Sequence, residues 1–217
     1  MTHTPRNCLR RPVLFVIVLI LLTQVTVLTS AVAGDFSCSF AKGAWKPDEW
    51  LFVKGPMPGT PSWIQREDSI ENDGGSTNML LKAPFKGNVT IRSTMAFQDK
   101  LAPLIIIASK IKDDGKGNNI YDGPYLEIVI WNKGVNVWRD GARRVAFYEF
   151  PMEKNVKYPL EVTKKGNEYT VNVAGHVFGF FDDSLKEDFY PGVSGCEGID
   201  RIYDFSVTPV IPPPKTQ

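Results

Sequence analysis

The sequence predicts an all-β protein, a two-sheet antiparallel β-sandwich. Short runs with a period of two recur along the chain, each bounded by Gly, Asn, Asp or Pro. No long amphipathic helix interrupts them, and only 183–188 has the make-up of a helical turn. The continuous apolar run 104–108 (LIIIA) predicts a strand buried at the centre of a sheet.

The chain opens on a targeting pattern. Arg6, Arg10 and Arg11 form a positive n-region, 13–22 an apolar run, and Ala31-Val32-Ala33 a cleavage site. Cleavage after Ala33 predicts a secreted protein, periplasmic or extracellular, with no membrane contact once the signal peptide (1–33) is gone. The uncharged run 12–33 is also long enough to span a bilayer as a retained anchor. Removing the leader's three arginines leaves 22 of the 25 basic residues against 24 acidic, a formal charge of −2. With no basic run, a nucleic-acid partner is not expected.

Residues 34–208 make one domain's length. Strands are expected at 35–40, 62–70, 79–82, 89–97 and 104–110, with an irregular, Trp- and Pro-rich crossing at 44–59 and a turn at 71–76. Further strands fall at 125–131, 135–139, 144–150, 158–163, 168–173 and 176–181, and the last at 193–197 and 202–207. The Pro-rich tail 209–217 is expected to stay out of the sheets.

The stretch 121–139 (YDGPYLEIVIWNKGVNVWR) reads as a β-hairpin with unlike faces. With Val135 and Val137 on the face of Leu126, Ile128 and Ile130, Trp131 pairs with Asn136 and Val129 with Trp138. Tyr125, Glu127, Trp131, Asn136 and Trp138 then share the second face. Such a face suits a sugar, because pyranose C–H faces stack on indole while polar neighbours take the hydroxyls. The plain alternative is a pair of tryptophans packed under a loop. Trp45, Trp50 and Trp63 read as structural, although Trp63 with Arg66 could rim the same groove.

Cys38 and Cys196 remain after cleavage, in an oxidising destination. They form a disulfide or stay as buried thiols. A bridge closing so long a loop stabilises by roughly 4–5 kcal/mol in the chain-entropy model. His176 is the one histidine past the leader, too little for a zinc cluster of usual composition. Asp113, Asp114, Asn118 and Asp122, in 112–123, are hard oxygen ligands of the sort calcium takes, without EF-hand spacing; Asp, Asn and Gly also simply build turns. No cofactor is required by any motif, and calcium is the candidate. Asn88-Val89-Thr90 matches an N-glycosylation acceptor.

The hairpin at 157–181 (YPLEVTKKGNEYTVNVAGHVFGFF) and the closing segment 190–207 (YPGVSGCEGIDRIYDFSV) resemble the end of concanavalin A-like lectin/glucanase jelly rolls, including laminin-G-like and exported bacterial sugar-processing domains. The resemblance implies a jelly roll with first and last strands adjacent, and a carbohydrate or glycoconjugate partner. Glucanases of this superfamily carry E-I-D-x-x-E on one strand. Here 127–132 reads E-I-V-I-W-N, with Val129 at the aspartate position and Asn132 at the second glutamate. A glycoside hydrolase or polysaccharide lyase would pair Glu127 with another carboxylate, Glu197 first, then Asp200 or Glu67. The structural alternative pairs Glu127 with Arg66, Arg139 or Arg201. The reading that follows is a carbohydrate-binding domain, with Arg66 and Arg201 favouring an acidic or highly hydroxylated ligand; a hydrolase or lyase, and a cell-envelope interaction module, stand beside it.

Overall fold

The computed structural model describes residues 34–54, 63–72, 76–98, 103–185, 188–196 and 198–210. The expected leader, Glu197 and residues 211–217 lie outside the described residues. Of two compact units, Met1–Ser30 and Ala31–Gln217, the second holds every described residue.

The strands run β1 (Phe36–Ser39), β2 (Trp50–Val53), β3 (Trp63–Gln65), β4 (Ile70–Asn72), β5 (Thr77–Leu81), β6 (Phe85–Lys86) and β7 (Val89–Phe97). Next come β8 (Pro103–Ala108), β9 (Ile111–Asp113), β10 (Asn119–Tyr121), β11 (Tyr125–Trp131), β12 (Gly134–Arg139) and β13 (Arg143–Glu149). The chain closes with β14 (Tyr158–Lys165), β15 (Glu168–Val173), β16 (His176–Phe181), β17 (Asp188–Gly195), β18 (Asp200–Ile202) and β19 (Asp204–Pro209).

Two sheets form. One has nine strands in the order β16-β15-β14-β7-β18-β4-β3, with β19 also on β7 and β1 on β19. The other has ten, β13-β12-β11-β8-β17-β5-β2-β10-β9, with β6 beside β17. Inward side chains of both sheets, among them Ile91, Val162, Val171 and Phe205 from one and Ile105, Ile107, Ile128 and Val137 from the other, fuse into one core. β8 lies between β11 and β17, the central place its apolar run predicts. β1 and β19 pair antiparallel, so first and last strands are neighbours.

Several expectations need correcting. The 62–70 run is two strands, β3 and β4, because 66–69 turns the chain between them. The helical turn expected at 183–188 falls partly outside the described residues; among those described, a 3-10 turn forms at Pro47–Glu49, where Pro47 pre-sets φ and lacks the donor that position would leave unused. β19 enters the expected tail: Pro209 faces Val89, and Val210 N–H donates to Asn88 O at 2.9 Å. Proline is tolerated there because it ends the strand.

Cys38 and Cys196 are not joined. Cys38 faces the core between the sheets, whereas Cys196 packs on the outer face of the ten-stranded sheet. Burial pushes the Cys38 thiol up to about 11.

The central hairpin is shifted from its expected register by two residues. Glu127 faces Trp138, Val129 faces Asn136, and Trp131 faces Gly134. Gly134 is the reason: it lies in the strand against β13 rather than in the turn, and a Cβ there would meet Tyr148 O at 2.1 Å. Its φ of +116° also favours glycine. A shift of two keeps parity, so every residue stays on its expected face.

Candidate functional site

The outer face of the ten-stranded sheet carries the residues singled out from the hairpin. Paired registers place Asn136, Val129, Leu104, Ser194 and Asn78 in one row across β12, β11, β8, β17 and β5. The neighbouring row holds Trp138, Glu127, Ile106, Gly192 and Leu80. Ile106, Leu104, Ala108 and Val129 make the middle of this face apolar and buried. Exposure rises towards β12 and β13, where Trp131 and Trp138 are half-buried and Phe147 is 36% exposed.

The polar groups here have unused hydrogen-bonding capacity. Asn136 Oδ1, Trp131 Nε1 and Tyr121 OH are buried and close no hydrogen bond. Asn78 accepts from Ser194 Oγ at 2.5 Å, which leaves its own Nδ2 without an acceptor. Unused donors and acceptors beside aromatic rings suit a hydroxylated ligand, because each costs free energy until it is satisfied.

Glu127 sits on the same face and closes no ion pair among the described residues. The arginines that could have neutralised it are engaged elsewhere: Arg139 on Asp182, and Arg66 and Arg201 on Glu71. Burial, with the nearby Asp140 charge as the lesser cause, pushes the Glu127 carboxyl up to about 7. Tyr125 is pushed up to about 12 by burial and then by Glu127 and Asp140. Its ring stacks on Tyr121 at 4.1 Å between centroids. Asp140 Oδ1 accepts from the Tyr125 N–H at 3.0 Å, which holds this second carboxylate at the end of β12.

Three side chains at this end had no sequence signal that singled them out: Tyr121, Arg144 and Phe147. A β-bulge between Val137 and Trp138 sets Arg144 opposite Trp138. The guanidinium carbon lies 4.9 Å from the Trp138 ring centroid and 5.3 Å from that of Phe147. Bulges re-aim side chains in this way, and a bulge has no period that a sequence displays.

Arg66 and Arg201 are not on this face. Arg201 lies on β18 of the nine-stranded sheet and Arg66 in the turn between β3 and β4; Arg201 Nε donates to Glu71 Oε2 at 2.8 Å and Arg66 Nε to Oε1 at 3.1 Å. A cavity of about 550 Å³ opens beside them, bordered by Ser69, Gln98 and Tyr203. Burial alone would raise the Glu71 carboxyl; its two arginine partners hold it below the usual range.

The structure does not gather the expected calcium ligands. Asp113 Oδ1 accepts from Gly115 N, Asp114 caps Lys116 and Asn118, and Asp122 pairs with Lys110 and Lys112. Among the described residues no group of three or more His, Cys, Asp or Glu is placed to hold a metal ion. Turn formation and lysine pairing use these carboxylates instead. His176 stacks on Phe150 at 3.9 Å.

The two sheets, adjacent first and last strands and shared core define a jelly-roll β-sandwich. No family model and no curated protein matches the sequence. Among solved structures, the carbohydrate-binding module CBM66 from Bacillus subtilis is similar in fold. The two share 16% identity and a TM-score of 0.55, over 74% of this chain and 95% of that one. The VIP36 exoplasmic/lumenal domain in its Ca2+/Man3GlcNAc-bound form aligns at 11% identity and TM-score 0.54, over 82% and 89%. The alginate lyase AlgAT5, of polysaccharide lyase family 7, aligns at 10% and 0.50, over 75% and 95%. At these identities the likeness is one of fold.

Proposed function

We propose that this is an exported carbohydrate-binding domain, and that its ligand lies on the outer face of the ten-stranded sheet at the β11–β12–β13 end. One observation carries the reading: half-buried Trp131 and Trp138 share this face with Asn136, whose Oδ1 is buried without a hydrogen bond, and with Glu127, which closes no ion pair among the described residues. The indoles would stack on sugar faces, with Tyr125 beside Glu127 on the same face, while Glu127 and Asn136 take hydroxyls. The fold is shared with a carbohydrate-binding module, CBM66, and with the VIP36 domain in its Man3GlcNAc-bound form, which supports the class of ligand.

A glycan array with the purified protein, run with and without calcium, tests this. The calcium arm covers Asp113, Asp114, Asn118 and Asp122, which share the β9–β10 hairpin region. Trp138→Ala should then cost roughly 1–3 kcal/mol of affinity for the best-bound glycan. Because the ring is half-buried, its urea midpoint should move little. A large fall in midpoint with unchanged affinity would show a packing tryptophan and remove this face as the site.

A second reading has its own observation. A carboxyl near 7 is matched to general acid–base work at neutral pH, and Asp140 provides a second carboxylate within electrostatic reach. A glycoside hydrolase or lyase would use Glu127 in that role. Reducing-end or unsaturated products released from a bound polysaccharide, and lost in Glu127→Gln while binding persists, would establish it.

A further inference from the structure

We propose that the glycan bound at this face is anionic, and that Arg144 receives its carboxylate or sulfate group. The inference rests on the carbohydrate reading of the same face. Four other arginines, Arg66, Arg92, Arg139 and Arg201, each close on a carboxylate of the chain. Among the described residues Arg144, like its neighbour Arg143, closes on none, but only Arg144 meets the rings of this face. Its guanidinium carbon instead meets two rings, 4.9 Å from the Trp138 centroid and 5.3 Å from that of Phe147.

Ring contact uses none of the guanidinium N–H donors, so they stay available for another partner. A guanidinium presents five donors in a rigid fork that matches a carboxylate or sulfate in two-point contact. The bulge that sets Arg144 opposite Trp138 puts this fork beside the stacking surface, so one sugar ring and its anionic substituent could be met together. Lys133 adds a second cation over a ring, with Nζ 5.9 Å from the Trp131 centroid and no carboxylate partner among the described residues.

The negative groups on this end do not cancel these cations. Asp140 is tied to the Tyr125 N–H, and Glu149 stands opposite Gly134, at the other end of β13 from Arg144. Glu127 is half-buried on β11, one strand further in than Trp138, and it forms no pair with Arg144.

The test uses matched oligosaccharides, each uronate or sulfate ester beside its carboxyl-reduced or desulfated counterpart, titrated against the wild type and Arg144 variants. The wild type should prefer the acidic member by about tenfold or more, as a charge-assisted two-point contact implies, and added salt should shrink that preference. In Arg144→Ala the ratio should fall close to one. Arg144→Lys keeps the charge without the flat fork and should retain a reduced ratio. Arg144 is exposed, and an unchanged urea midpoint in either variant checks that the fold is kept.

Equal affinity for acidic and neutral members in the wild type would overturn the proposal. So would an unchanged ratio in Arg144→Ala. If neutral glycans bind and Trp138→Ala removes them, the carbohydrate reading stands and this inference alone fails. If no glycan of either kind binds, both fail. Carboxyl-reduced and desulfated pairs read separately tell which anionic group is received.

Discussion

Glu127 and Trp138 are direct cross-strand partners on β11 and β12. A carboxyl facing an indole, with no cation paired to it, loses hydration without gaining a counter-charge. Its protonated form is therefore favoured in the folded chain.

Stability should fall as pH rises through the range this shift defines. Unfolded, Glu127 titrates near 4.5; folded, near 7. Between those values the native state binds the extra proton, so its contribution is present below about 4.5 and is lost by about 7. The upper figure is on the order of 3 kcal/mol. Asp200, raised by burial, contributes in the same direction, so Glu127→Gln should flatten the slope only in part. Identical urea-midpoint profiles for mutant and wild type across pH 4–8 would contradict the shift.

Arg201 should matter for stability rather than for ligand. Arg201→Ala leaves buried Glu71 with Arg66 alone and should cost about 1–3 kcal/mol, while affinity at the β11–β13 face stays as in the wild type. Reduced affinity with an unchanged midpoint would return Arg201 to the ligand site.

Gly134→Ala should be among the costlier single changes. The added Cβ would meet Tyr148 O at 2.1 Å and Phe150 N at 2.9 Å, in a backbone conformation with positive φ. Backbone cannot move aside as a side-chain tip can, so a loss of about 2–4 kcal/mol is expected. A thermal melt within a degree of the wild type would mean that the hairpin reaches another register at little cost.

The cysteines should be found apart. An unreduced digest should yield separate peptides for Cys38 and Cys196, with Cys38 blocked by alkylating reagent only after unfolding, since it is buried with its thiol pushed up to about 11. A linked peptide would refute the placement of the two on different faces.

Parity explains what could be read in the sequence. In the hairpin, apolar Leu126, Ile128 and Ile130 separate the faces so firmly that a two-residue error in register moved no side chain across the sheet. Sheet membership is a longer-range property. Arg66 and Arg201 looked like neighbours of Glu127, yet β3, β4 and β18 pair within the other sheet, and local periodicity carries no trace of that choice. Pro191 hid the first half of β17, because proline argues against a strand flanked on both sides. Arg144 was missed because its position depends on the bulge near Trp138, one irregular residue without a periodic mark.

The pairing of β1 with β19 has a consequence for how the domain can be attached. Phe36 and Val207 are opposite one another, so the polypeptide enters and leaves through one small area of the nine-stranded sheet. A host protein could carry the domain as an insertion between two adjacent residues of an exposed loop, needing only short spacers. The face proposed for the ligand, on the other sheet, would point outward from such a graft, and linking β19 to β1 directly would permit circular permutants opened at any exposed hairpin tip.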